Sequence, residues 1–358
     1  MVKRRASAGL LTAVVALGIG FVVLSLGLWL GGYDPLVSLG ALWHGAFGSW
    51  YALTSATLVR AVPLIILGLG ISLAFRAGVF NIGAEGQFYA GAIAAAWVGV
   101  RVAGLPSFAA IGAVWVAAAI AGILWIAIPV LLKVRFGVLE VISTLLMNFV
   151  AEAMVSYAVT GPMQETKGIY PQSDAIALTA RLPVVPGSRL HAGFLVALLL
   201  AIVLWLLFTR TAWGFRLRAV GLGPRTAAVS GGIPVRRLIA GALLWSGALA
   251  GFGGGTEISG VTYALFQNLS PGYGFTAIAV ALLARLHPLG VVLSGILFGA
   301  LEAGAQGMQR EAGVPAVAVQ VAEAVVILVV VLTEVVARRA GVGRWRLGVG
   351  EARLAEKR

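Results

Sequence analysis

The sequence has no cysteine and only three histidines, and Asp, Glu, Lys and Arg together make up 11% of its 358 residues. Without cysteine it forms neither disulfides nor thiolate metal sites. His44, His191 and His287 are scattered along the chain, and each reads as an interfacial or packing residue. Also missing are G-x-x-x-x-G-K-[ST], H-E-x-x-H and G-x-S-x-G; the glycine cluster GFGGGTEISG at 251–260 lacks the lysine of a phosphate loop. The expectation is a chain that is not an enzyme, hydrolyses no ATP itself and holds no cofactor or metal of its own.

What is present is apolar, 60% of all residues. Runs of about 17 to 25 apolar residues recur along the chain, each long enough to cross a hydrocarbon core roughly 30 Å thick. The first follows Lys3, Arg4 and Arg5, stays apolar to about Leu30 and lacks an A-x-A cleavage site, so it reads as a retained helix rather than a signal peptide. The pattern predicts an all-α integral membrane protein of about ten transmembrane helices, at about 9–30, 55–75, 80–100, 105–132, 139–160, 190–209, 238–257, 271–285, 288–307 and 316–337. Residues 1–337 form one transmembrane domain and 338–358 a basic tail, lying on anionic headgroups or simply solvated.

The net charge of +13 raises nucleic acid as a partner, and its distribution answers the question. With the N-terminus inside, 20 of the 26 basic residues fall on the cytoplasmic side. The positive-inside rule accounts for the charge without nucleic acid and places both termini in the cytoplasm. Three connections exceed a tight turn. Residues 31–54 are outside and rich in Trp and Tyr, as suits an interfacial segment. Residues 161–189 form a long polar external loop, either a docking surface or a plain connector. Residues 209–237 are cytoplasmic and basic; within them PRTAAVSG reads as a short helix with Pro224 in its first turn and Gly231 as its stop.

Four carboxylates, Glu85, Glu152, Glu302 and Glu323, fall inside or at the edges of spans, where each facing lipid would cost about 2.5–3.5 kcal/mol on insertion scales. Glu302 and Glu323 read as ties between helices. The stretch FRAGVFNIGAEGQ (75–87) interleaves Asn81, Glu85 and Gln87 with Gly78, Gly83 and Gly86, so the helix is expected to break there, buried in protein or along an aqueous cavity. A second interruption, QNLSPGYGF at 267–275, precedes another apolar run. Paired interruptions point to a midplane solute site between repeats, here an inverted repeat of two five-helix-like halves in which spans two to five and seven to ten are the copies. Carboxamides and carboxylates beside Phe88, Tyr89, Tyr273 and Phe275 suit a neutral polyhydroxylated or planar solute. The alternative is a polar knot that only locks spans two and three. Gly247, Gly251 and Gly255, and Gly295 with Gly299, read as close-packing surfaces.

The segments PLIILGLGISLAFRAGVFNIGAEGQFYAGA (63–92), GVLEVISTLLMNFVA (137–151), AAVSGGIPVRRLIAGALLWSGALAGFGG (227–254) and SPGYGFTAIAVALLARLHPLG (270–290) resemble permease subunits of bacterial ABC importers for nucleosides and simple sugars. The larger family also holds ribose and branched-chain amino-acid permeases. The resemblance implies a subunit of the bacterial cytoplasmic membrane that pairs with a second permease as a heterodimer. It also implies a cytoplasmic ABC ATPase that binds ATP and Mg, and an external solute-binding lipoprotein. On this reading Asn81, Glu85, Gln87, Phe88, Asn148, Tyr273 and Phe275 line the solute path. Gly223, Arg225, Ala227, Ala228, Ser230, Gly231, Pro234 and Arg236 match the segment that couples to the ATPase, with SGGIP standing where the family has a single glycine before Ile. Ribose, another simple sugar or a branched-chain amino acid are alternative solutes. A proton-coupled secondary transporter using Glu85 or Glu323 is an alternative class, though it has no evident need for the 209–237 loop. A scaffold without transport leaves both interruptions unexplained.

Overall fold

The computed structural model describes residues 22–315 together with residues 18, 20, 321, 324 and 328. Glu323, almost all of the expected tenth span and the 338–358 tail lie outside the described residues, as do most positions before residue 22. Within the described residues every named element is a helix, and extended pairing is confined to two isolated bridges, Gln172 with Phe266 and Val184 with His191.

The helices are α1 Pro35–Phe47, α2 Leu58–Arg76, α3 Ala84–Gly99, α4 Ser107–Phe136, α5 Glu140–Thr160, α6 Gly193–Arg210, α7 Ala212–Leu222, α8 Pro224–Gly231, α9 Val235–Glu257, α10 Tyr273–Leu283 and α11 Pro288–Glu311. Wide helical turns at Ala52–Thr57 and Ile258–Thr262 extend α2 and α9. Six stretches among the described residues are long and apolar enough to cross a membrane: Ala52–Arg76, Ser107–Phe136, Glu140–Thr160, Gly193–Arg210, Val235–Thr262 and Pro288–Glu311. The protein is therefore an all-helical integral membrane protein, and two expected spans differ from expectation. The expected third starts at Ala84 instead of residue 80, because 79–83 run as non-helical chain. The expected eighth is the 11-residue α10, which rises roughly 16 Å and cannot cross alone.

The chain forms two compact units. In the smaller, Asp34 caps α1 by accepting the N–H groups of Leu36 and Val37, with Pro35 in the first turn where a missing N–H costs nothing. A methyl added at Gly45 would meet the backbone of Ala303 and Gly307, so α1 and α11 touch through their main chains. Leu24, Leu28, Ala41, Ala305, Met308 and Val314 close its core. Glu302 pairs with Arg60 at 3.3 Å, and Arg60 also donates to Gln306 at 2.6 Å. The tie expected of Glu302 is thus made from α11 to α2.

In the larger unit, Ala61–Ile296, the centre is α3, α4 and α9. The glycine spacing read from the sequence has its reason here. A methyl on Gly91 would run into the backbone of Gly251, one on Gly122 into that of Gly247, and one on Gly254 into that of Phe88. Helix α2 is buried almost all round, with Val62, Leu64, Ile65, Ile66, Leu67, Leu69 and Ile71 fully covered. Helix α6 buries Ala197, Ala201, Leu204 and Phe208 and leaves Leu195, Leu199 and Ile202 exposed, a one-sided pattern suited to lipid.

Candidate functional site

Helix α2 ends at a left-handed Gly78 (φ 76°), with Gly78 N–H donating to Phe75 and Val79 N–H to Ala74. The chain then runs without helical hydrogen bonds to Gly83, so its polar groups must be met by side chains. Asn81 meets one of them and ties the segment to two other side chains. Its Oδ1 accepts from Gly83 N–H at 3.0 Å and from Gln87 Nε2 at 3.0 Å, and its Nδ2 donates to Gln87 Oε1 at 2.8 Å and to Ser246 Oγ at 2.9 Å. From α5, Asn148 Oδ1 accepts Gly86 N–H at 2.8 Å while its Nδ2 donates to the Ile82 carbonyl at 2.9 Å. Thr144 Oγ1 accepts from Ile82 N–H and Glu140 Oε1 from Phe80 N–H, each at 3.3 Å, with Lys133 paired to the other oxygen of Glu140. Asn81, Gln87 and Asn148 are all buried, and they fasten the broken strand in place.

The second interruption meets the first. Ser270 Oγ accepts the N–H groups of Gly272 and Tyr273, capping α10, and Glu85 Oε2 accepts the N–H of Gly274. A methyl on Gly274 would strike the backbone of Glu85, so the first turns of α3 and α10 abut. The first turns of both helices carry N–H groups that lack helical acceptors. Glu85 supplies one for α10. At its other end α10 leads to Leu286, whose carbonyl accepts from Arg76 Nε at 2.8 Å. Glu85 therefore lies roughly 16 Å along α10 from the Arg76 end.

Aromatic rings surround this junction. Phe88 is fully buried, its ring 5.9 Å from that of Tyr273 and 6.0 Å from that of Tyr89, both edge-on. Six expected solute-path residues, Asn81, Glu85, Gln87, Phe88, Asn148 and Tyr273, thus come together, while Phe275 faces outward at 45% exposure. The sequence reading passed over Ser246, Thr144 and Glu140. Two of these were legible in part, because Glu140, Thr144, Asn148, Glu152 and Ser156 recur every four residues along α5. Ser246, on α9, carries no such signal.

The 209–237 connection folds as two helices. Thr211 caps α7, and α7 sits close to α2: a methyl on Gly221 would run into the Arg76 carbonyl and approach Gly78. The guanidinium of Arg76 lies 4.4 Å over the Phe208 ring. Helix α8 starts at Gly223 with Pro224 in its first turn and includes Arg225, Ala227, Ala228, Ser230 and Gly231. The helix covers PRTAAVSG and its last residue is Gly231, as expected. Gly232 takes the left-handed conformation (φ 58°) that ends the helix, and its N–H and that of Ile233 both donate to the Ala227 carbonyl. Val229 is 88% exposed. Beside it an open groove of about 730 Å³ is lined by Pro224, Arg225, Ala228, Pro234, Val235, Arg236 and Arg237.

The 161–189 loop is bound to its neighbours throughout. Ser173 and Leu265 exchange two hydrogen bonds, Ile176 N–H donates to Tyr263, Leu182 N–H to Ser259 and Ala177 N–H to Gly99. On its surface Gln172 and the Tyr170 N–H hold the Glu165 carboxyl below its usual range, and Thr166 does the same for Asp174. Ile169, Tyr170 and Leu178 remain exposed.

These features define a class: a polytopic helical membrane protein whose polar interior is built on two helix breaks that meet at Glu85 and Gly274. The chain belongs to the family of the branched-chain amino acid transport system permease component, which it matches over residues 53–333. It is 39% identical to a guanosine ABC transporter permease of Bacillus subtilis, over 92% of this chain and 94% of that one. It is 38% identical to a glucose ABC transporter permease of Haloferax volcanii, over 94% and 90%. A nucleoside ABC transporter permease of Lactococcus lactis is 29% identical over 88% and 89%. The Bacillus and Lactococcus organisms each hold a second matching permease, at 28% identity. No solved structure matches the chain.

Proposed function

We propose that the chain is one of two permease subunits of an ATP-driven importer in the cytoplasmic membrane, and that its solute is a nucleoside. The observation that carries the substrate is the likeness, over nearly the whole chain, to permeases named for guanosine and for nucleosides. The paired relatives in two organisms support a heterodimer with a second, more distant permease. The glucose permease match supports a sugar as the second reading.

In this reading the chain has ten spans with both termini inside, and the two breaks belong to inverted halves whose half-helices meet at Glu85. Asn81, Gln87, Phe88 and Asn148 support the wall of the path from behind, and Glu85, Tyr273 and Phe275 border it. Arg225, Ala228, Arg236 and the exposed face of α8 dock in a cleft of the partner ATPase, which binds ATP and Mg. Movement there reaches the break through α7, because Gly221 bears on the Arg76–Gly78 turn from which the strand to Asn81 departs. Exposed Ile169 and Tyr170 suit docking of an external binding lipoprotein.

The test is uptake of labelled guanosine and glucose by proteoliposomes holding this chain, its second permease, the ATPase and the lipoprotein. Guanosine uptake that requires internal ATP and the lipoprotein is expected. Uptake of glucose alone would replace the substrate, and ATP-independent uptake driven by a pH gradient would overturn the class.

A further inference from the structure

The polar stripe of α5 does not end where the seam does. Each step of four residues turns about 40° around a helix of 3.6 residues per turn, so a stripe at that spacing spirals slowly out of any fixed contact. Glu140, Thr144 and Asn148 are buried against the broken strand, Glu152 is exposed, and Ser156 accepts a hydrogen bond from Gln267 at 2.8 Å. Glu152 is thus an exposed carboxylate near the middle of a 21-residue span, one turn past Asn148, whose Oδ1 accepts the N–H of Gly86 beside Glu85. Among the described residues no hydrogen bond or ion pair reaches it. An unpaired carboxylate inside a span cannot face lipid without penalty, so the surface it stands on meets water, a solute or the second permease.

The geometry points to Glu152 as a solute-selecting residue: it lines the path beside the Glu85–Gly274 junction and accepts hydrogen bonds from a neutral solute that presents two adjacent donors. A free carboxylate offers two acceptor oxygens and no donor, which matches a vicinal diol or the paired N–H groups of a base edge. One turn further along α5, Ser156 accepts from Gln267, so a carboxamide stands beside the same stripe. This inference rests on the importer reading for its solute but not for its location.

The location is tested first. Because the chain has no cysteine, the thiol of Glu152→Cys is the only one in this subunit. In the assembled complex in proteoliposomes, a charged methanethiosulfonate reagent is expected to modify it at least tenfold faster than Leu199→Cys on the exposed face of α6, and solute should slow the reaction. Modification no faster than at Leu199 would overturn the inference. Selectivity is tested with Glu152→Gln by competition between guanosine and two analogues, 2′,3′-dideoxyguanosine and purine riboside. Wild type should reject one analogue, and the variant should lose that discrimination by roughly tenfold or more. Loss against the dideoxy analogue assigns the diol, and loss against purine riboside assigns the base edge. Unchanged ratios at wild-type uptake would refute selection by Glu152. If wild type carries glucose and not guanosine, the substrate reading fails while this one stands, read with glucose against its 2- and 3-deoxy analogues.

Discussion

At Glu85 a side-chain oxygen ties the first turn of α3 to that of α10 by accepting the Gly274 N–H. Removing it leaves the Gly274 N–H buried without a partner, so Glu85→Ala should lower the stability of the purified complex by roughly 2–3 kcal/mol. Glu85→Gln keeps an acceptor; it should assemble normally and lose uptake, and thermal unfolding beside transport separates the two effects. His191 makes a different demand. It lies just before α6, its Nδ1 accepting the Gly193 N–H at 3.2 Å, and burial pushes its pKa down from 6.5 to about 4. A base kept neutral in the fold gives full stability above pH 6.5. As pH falls towards 4 the unfolded chain takes up a proton that the folded one refuses, and about 3 kcal/mol is lost. Melting temperature should fall across that window in wild type, and the slope attributable to this residue should vanish in His191→Gln.

Among the elements, the glycine contacts decide how closely α3, α4 and α9 approach. Gly91→Val places two methyls where the backbone of Gly251 lies, and the expected result is little or no folded protein in detergent by size-exclusion chromatography. At Gly232 the cause is backbone conformation and not space: nothing lies within 4 Å of an added Cβ, yet φ is 58°. Gly232→Ala should cost about 1 kcal/mol in the local fold of α8, read as weaker binding of the ATPase with the bundle's own melting unchanged. The sequence located both breaks through their Gly, Pro and carboxamide content. It did not reveal that they touch, because the contact between Glu85 and Gly274 is separated by 189 residues. Nor did the apolar run at 271–285 reveal that its helix is only 11 residues long, since hydropathy reports burial and not the hydrogen bonding that ends a helix.

For the whole molecule, orientation follows from where the basic residues fall. If the ten-span reading with both termini inside holds, single thiols at Ser188→Cys and Val229→Cys should react with an impermeant reagent from opposite sides of right-side-out vesicles, the first from outside and the second only after permeabilisation. Reaction of both from one side would refute the ten-span reading. The length of the apolar runs, the grouping of cations in particular connections and the absence of a phosphate loop are read from residue order alone, so each was legible without coordinates.

That this is a helical membrane protein, where its helices break and that a short helix lies within the 209–237 connection were all written in the residue order, because hydrophobicity, glycine and proline act locally. What the polar residues do depends on packing between distant segments. Asn81, Gln87 and Asn148 spend their hydrogen bonds inside the chain, Glu85 bridges two half-helices, and Glu152, one turn past Asn148 on the same stripe, is left facing outward. The difference is a rotation of about 40° about one helix axis, set by how α5 packs on the broken strand, and no local property of the sequence records it.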